Sequence, residues 1–96
     1  PLKSGYTTHV YHQYTIQVEE DRRPSLQQYL KEEGIPTMIY YPLPIYEQEA
    51  FRQLVRIPGS VDEARRLSRS VLSLPIHTEM TIEEQELIIE AIRNYE

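Results

Sequence analysis

Pro42 and Pro44 stand two apart near the middle of the chain and forbid regular structure where they sit. Each lacks a backbone N–H and fixes φ near −65°, so neither a strand ladder nor a helix continues through them. They belong to the fifteen-residue stretch Gly34-Ile-Pro-Thr-Met-Ile-Tyr-Tyr-Pro-Leu-Pro-Ile-Tyr-Glu-Gln48. It opens on a helix stop at Gly34, passes through a short apolar run, and then presents Tyr40, Tyr41 and Tyr46 within seven residues. A plain connection needs neither the prolines nor the tyrosines. A rigid loop at a strand end is where binding groups are usually mounted, so this loop is a candidate contact surface.

Around it the sequence alternates strand and helix signals. From His9 to Val18 the even positions Val10, His12, Tyr14, Ile16 and Val18 face one way and Tyr11, Gln13, Thr15 and Gln17 the other, the period of a half-buried strand. Asp21 and the Arg23-Pro24 step begin a helix with Leu26, Tyr29 and Leu30 as its apolar stripe, and Gly34 stops it. Pro36–Tyr40 reads as a second strand. Glu47–Val55 reads as a short helix with Ala50, Phe51, Leu54 and Val55 inward, ended by Ile57-Pro58-Gly59.

Ser60 and Glu63 have capping-box spacing and start a further helix with Val61, Ala64 and Leu67 on one face. Val71–Leu74 is a third short strand, stopped by Pro75. Thr81 and Glu84 form a second capping box, opening a helix with Leu87, Ile88, Ala91, Ile92 and Tyr95 towards the core. The expected fold is a small α/β (α+β) domain of about three strands, with helices mainly on one face. Residues 1–96 are read as one domain, and 1–8 as an irregular leader. The leader's polar residues, without an initiator Met, suggest a piece of something longer.

Composition excludes several function classes. A formal net charge of −5, with glutamates clustered near the C-terminus, argues against nucleic-acid binding through a basic face. The absence of cysteine removes thiol catalysis, disulfides and cysteine metal sites. No apolar run approaches the roughly 20 residues of a membrane span, and a cytoplasmic setting is the default expectation.

Few residues look able to carry chemistry alone. His9 and His12 fall on opposite faces of the expected strand and cannot share a metal, and His77 is a loop residue, so no metal site is expected. Glu83, Glu84, Glu86 and Glu90 read as the solvated side of the last helix rather than an acid–base pair. The three glycines are isolated, which excludes a Gly-rich phosphate loop. Tyr14, Tyr29 and Tyr95 lie on apolar faces and read as core residues with a wet hydroxyl. Tyr40 and Tyr41 are adjacent, so in a strand one would point inward and one outward. From residue types alone, Tyr40–Tyr46 is equally a packing corner or a polar–aromatic wall for a ligand or partner.

The ordered segments His-Val-Tyr-His-Gln-Tyr-Thr-Ile (9–16), Leu-x-x-x-Leu-x-x-x-Gly-Ile-x-Thr (26–37), Tyr-Tyr-Pro-x-Pro-x-x-x-Gln (40–48) and Leu-Ser-Leu-Pro-Ile-His (72–77) resemble one known pattern. It is that of the C-terminal domain of DegT/DnrJ/EryC1/StrS sugar-nucleotide aminotransferases, and the resemblance covers nearly the whole chain. It implies the small domain of a fold-type I, pyridoxal-phosphate-dependent homodimer that transfers an amino group, usually from glutamate, to a keto-sugar nucleotide. Products of such enzymes enter lipopolysaccharide, other surface glycans or antibiotic sugars.

By the same resemblance, the Schiff-base lysine, the phosphate loop and the pyridine-nitrogen partner belong to a preceding large domain. Of the chain's own lysines, Lys3 is in the leader and Lys31 on a polar helix side, neither in a setting that lowers a lysine pKa. This part would therefore hold no cofactor and be inactive alone. The loop matching Tyr40–Gln48 faces the sugar nucleotide in the family, which makes Tyr40, Tyr41 and Tyr46 the expected substrate-binding residues. Tyr41 matches the family best, whereas His often stands at the positions of Tyr40 and Tyr46. Competing expectations are a stand-alone interaction module using the aromatic–proline loop, and a family relative that has lost catalysis.

Overall fold

The computed structural model describes residues 2–95. Its centre is a junction without a loop: helix α2 (Asp62–Ser70) runs directly into strand β2 (Val71–Leu74). Val71 serves as helix C-cap and first strand residue, its φ of −83° and ψ of 145° already extended. Strand β1 (Tyr14–Gln17) pairs antiparallel with β2, placing Tyr14 opposite Leu74, Thr15 opposite Ser73, Ile16 opposite Leu72 and Gln17 opposite Val71. On the other edge of β2, Met38 and Ser73 exchange backbone hydrogen bonds of 3.1 and 2.7 Å as a single antiparallel bridge. β2 is thus the middle of the sheet.

The period-two reading of β1 holds where the strand exists. Ile16, Leu72 and Leu74 pack with Leu26 and Leu30 of helix α1 (Arg23–Glu32), with Ile35, and with Ile88, Ala91 and Ile92 of helix α3 (Ile82–Asn94). Leu30 and Leu72 are wholly enclosed. On the opposite sheet face Thr15 and Ser73 join hydroxyls at 2.8 Å, which satisfies two polar groups where Ser73 is buried. Tyr29 and Tyr95 stack obliquely, with ring centroids 5.4 Å apart, and the Tyr95 hydroxyl reaches the Ser25 hydroxyl. They are half-buried residues with a polar tip, as their sequence positions suggest.

Local signals set the helix ends. Pro24 sits in the first turn of α1, where its missing N–H removes no intrahelical bond. Gly34 ends the helix at φ +78°. Its N–H donates to the Lys31 carbonyl, and the Ile35 N–H donates to that of Leu30. This paired pattern satisfies two orphan carbonyls and carries Ile35 into the core beside Leu30. At α3 both arms of the Thr81–Glu84 capping box form, at 3.1 and 2.9 Å. The Arg23 guanidinium donates to the Ser68 carbonyl at 2.7 Å and the Val71 carbonyl at 3.3 Å, so a cation from α1 caps the negative end of α2.

Five expected features differ. The strand expected over His9–Val18 is only Tyr14–Gln17, and Val10 and His12 are exposed. Its partner offers four residues between a helix end and Pro75. Upstream, Tyr11 takes φ +48° with its N–H bonded to His9 Nδ1 at 2.9 Å, a local turn that competes with the ladder. The strand expected over Pro36–Tyr40 contracts to the Met38 bridge. The helix expected over Glu47–Val55 is one 3₁₀ turn (Ile45–Glu47) followed by hydrogen-bonded turns, because Phe51 and Leu54 find no apolar cover and a short amphipathic stripe does not hold alone.

Ser60 does not cap α2. Its hydroxyl bonds Asp62, Val61 occupies the cap position, and Arg66 takes the Glu63 carboxylate that a capping box would need. In α3, Leu87 points outward while Ile88, Ala91 and Ile92 face the core. In the expected leader, residues 2–8 carry no helix or strand, and Pro1 lies outside the described residues.

Candidate functional site

The chain leaves the Met38 bridge and enters the proline loop, which folds back against the apolar side of α2. Between them lies a depression of about 520 Å³. Tyr40, Tyr41, Ile45, Tyr46 and Gln48 form its loop wall, and Val61, Ala64 and Leu67 its helix wall. The structure therefore gathers all three expected tyrosines around one concavity. Their roles within it differ.

Tyr41 is the most open, with 67% of its surface exposed, and its hydroxyl has no hydrogen-bond partner in the described residues. Tyr40 packs edge-on against it with ring centroids 5.5 Å apart. Neither ring points inward, contrary to the strand-alternation expectation, because no ladder extends past Met38 to impose it. Tyr40 also lines a second, smaller hollow of about 220 Å³ with His12, Gln13, Met38 and Ser73. It stands on the ridge between the two concavities. Tyr46 is half-buried and turned towards α2, with its hydroxyl at 3.5 Å from the Val61 carbonyl.

Two side chains that sequence reasoning did not single out complete the arrangement. Arg65 donates from Nε to Glu47 Oε1 at 3.1 Å, and its guanidinium lies 5.9 Å from the Tyr46 ring centroid. The hydrogen bond that Arg65 donates to Glu47, with the nearby Tyr46 and the Glu47 charge, raises the Arg65 pKa above its ordinary value. The eighteen-residue separation of Glu47 and Arg65 carries no periodic signal. Only the return of the chain after Gly59 brings them together. The resulting wall is apolar and aromatic, with phenol and amide groups at its rim. Such a surface can stack a planar or sugar ring and hydrogen-bond hydroxyls.

Comparison with known proteins places this geometry in a family. The model of the DegT/DnrJ/EryC1/StrS aminotransferase family matches residues 1–93. The chain belongs to that family. It is 42% identical over 87 residues to a pleiotropic regulatory protein of Geobacillus stearothermophilus, covering 91% of this chain and 23% of that protein. It is 36% identical over 95 residues to the dTDP-3-amino-3,6-dideoxy-alpha-D-galactopyranose transaminase of Aneurinibacillus thermoaerophilus, covering 99% of this chain and 25% of the relative. Among solved structures, S. venezuelae DesV in complex with a ketimine intermediate superposes with a TM-score of 0.85 at 32% identity, over 97% of this chain and 24% of that one. The chain thus spans about a quarter of the length of the relatives it matches, and corresponds to their C-terminal part.

The residues of this DegT-family chain do not fit pyridoxal phosphate, the cofactor that its resemblance implies. Lys31 is exposed in the last turn of α1 and Lys3 is exposed in the irregular N-terminal stretch. Gly5, Gly34 and Gly59 are isolated, and a Cβ at each would meet only open space, so none forms a close-approach cradle for a phosphate.

Proposed function

We propose that this chain is the substrate-side, C-terminal domain of a pyridoxal-phosphate-dependent aminotransferase acting on a keto-sugar nucleotide, with glutamate as amino donor. The single observation behind this reading is the concavity walled by Tyr40, Tyr41 and Tyr46, in a chain whose family match runs over residues 1–93. The parent would carry its cofactor lysine in a preceding large domain, work as a cytoplasmic homodimer, and supply amino sugars to surface polysaccharide or related pathways. This part alone would be inactive. Tyr41 is the leading hydrogen-bond donor to the sugar nucleotide, with Tyr40 and Tyr46 forming the aromatic wall.

The exposed apolar residues Ile82, Leu87 and Ile89 of α3, together with Leu54, support a parent in which further protein covers these surfaces. A second reading, a family member without catalysis, is favoured by the name of the Geobacillus relative, a pleiotropic regulatory protein. One experiment separates the two. The full-length protein is incubated with pyridoxal phosphate, glutamate and a panel of dTDP- and UDP-linked keto sugars, and products are read by mass spectrometry. Conversion of one keto sugar to its amine, with release of 2-oxoglutarate, supports the transaminase. No amine from any member of the panel favours the regulatory relative.

A further inference from the structure

We propose that Arg65 is a positioning residue that sets the substrate wall by clamping the Tyr46-Glu47 segment against α2, an inference that rests on the reading of this concavity as the sugar-nucleotide side of the site. Three contacts carry it. The guanidinium Nε donates to Glu47 Oε1 at 3.1 Å, the cation lies 5.9 Å from the Tyr46 ring centroid, and the Tyr46 hydroxyl sits 3.5 Å from the carbonyl of Val61, the N-cap of the same helix. All three join the 3₁₀ turn Ile45–Glu47 to α2. The turn's own hydrogen bonds, Glu47 N–H to Pro44 and Gln48 N–H to Ile45, are local and do not fix its distance from the helix.

That distance sets the width of the depression, whose opposite walls are Tyr46 with Gln48 and Val61 with Ala64. Asp62, one turn before Arg65, approaches its Nη1 only at 4.0 Å and is far more exposed than Glu47, so the clamp is the Glu47 arm. An exposed ion pair contributes little to global stability. Here its effect falls on the loop's position, and therefore on substrate affinity rather than on the chemical step.

The test uses the full-length protein with Arg65→Glu, Glu47→Arg and the double charge swap. Arg65→Glu should raise KM for the sugar nucleotide roughly two- to fivefold with kcat nearly unchanged, and the swap should restore most of it. Hydrogen exchange of the Glu47 and Gln48 amides should accelerate in Arg65→Glu and recover in the swap. An unchanged KM, a loss confined to kcat, or a swap that fails to rescue would overturn the clamp. A wild-type protein without transamination would remove the functional reading, while the exchange measurement would still decide whether Arg65 holds the loop. Unchanged exchange in Arg65→Glu means that it does not.

Discussion

Replacing Tyr41 by Phe removes one oxygen from the most exposed ring of the proposed substrate wall. Tyr41 is 67% exposed, its hydroxyl bonds no described residue, and its ring contact with Tyr40 at 5.5 Å survives the change. Stability should therefore shift by less than about 0.5 kcal/mol, as for other surface substitutions away from special features. In the full-length protein the lost phenol should remove one neutral hydrogen bond to the sugar nucleotide. That is about 0.5–1.5 kcal/mol, or roughly a two- to tenfold fall in kcat/KM. The glutamate half-reaction, followed alone by cofactor absorbance, should keep its rate, because the proposed function puts this loop on the sugar side. Steady-state kinetics against the keto-sugar nucleotide, run beside urea unfolding, measure both quantities. Unchanged kcat/KM with unchanged stability would refute the reasoning, and so would a slowed glutamate half-reaction.

Other consequences concern the frame that holds this wall. Leu72→Ala, at a wholly enclosed position in β2 beside Leu26 and Leu30, should cost about 2–5 kcal/mol in chemical denaturation. Thr81→Ala removes the side-chain arm of the only capping box among the described residues, and should lower stability by roughly 0.5–2 kcal/mol, seen as a lower urea midpoint at constant m. Gly34→Ala meets no steric obstacle but places a Cβ at φ +78°, so a loss of about 1 kcal/mol should come from the backbone alone.

What the sequence made legible follows from how local each signal is. The Pro24 start, the Gly34 stop and the Thr81–Glu84 box each depend on neighbours within one turn, and each formed. Val71–Leu74 appeared with its expected bounds because Pro75 closes it and the apolar run is short. Failures came where an element needed a distant partner. His9–Tyr11 lacks a strand to pair with and turns on itself, and Phe51 and Leu54 lack a surface to cover them.

The candidate site divides in the same way. Its three tyrosines were visible as an aromatic–proline cluster in seven residues. Val61, Ala64 and Leu67 were legible as one helix face, but their placement opposite the tyrosines and the Arg65–Glu47 contact were not, since both are brought in by chain return rather than by spacing.

The proposed function divides the labour: this chain would shape the sugar-nucleotide side of the site, and the cofactor would be held elsewhere in the protein. Borohydride reduction of the full-length protein loaded with pyridoxal phosphate, followed by peptide mass mapping, tests it most directly. One reduced pyridoxyl adduct is expected, on a lysine outside these 96 residues, with the peptides of Lys3 and Lys31 unlabelled. Stoichiometric label on Lys3 or Lys31 would contradict it.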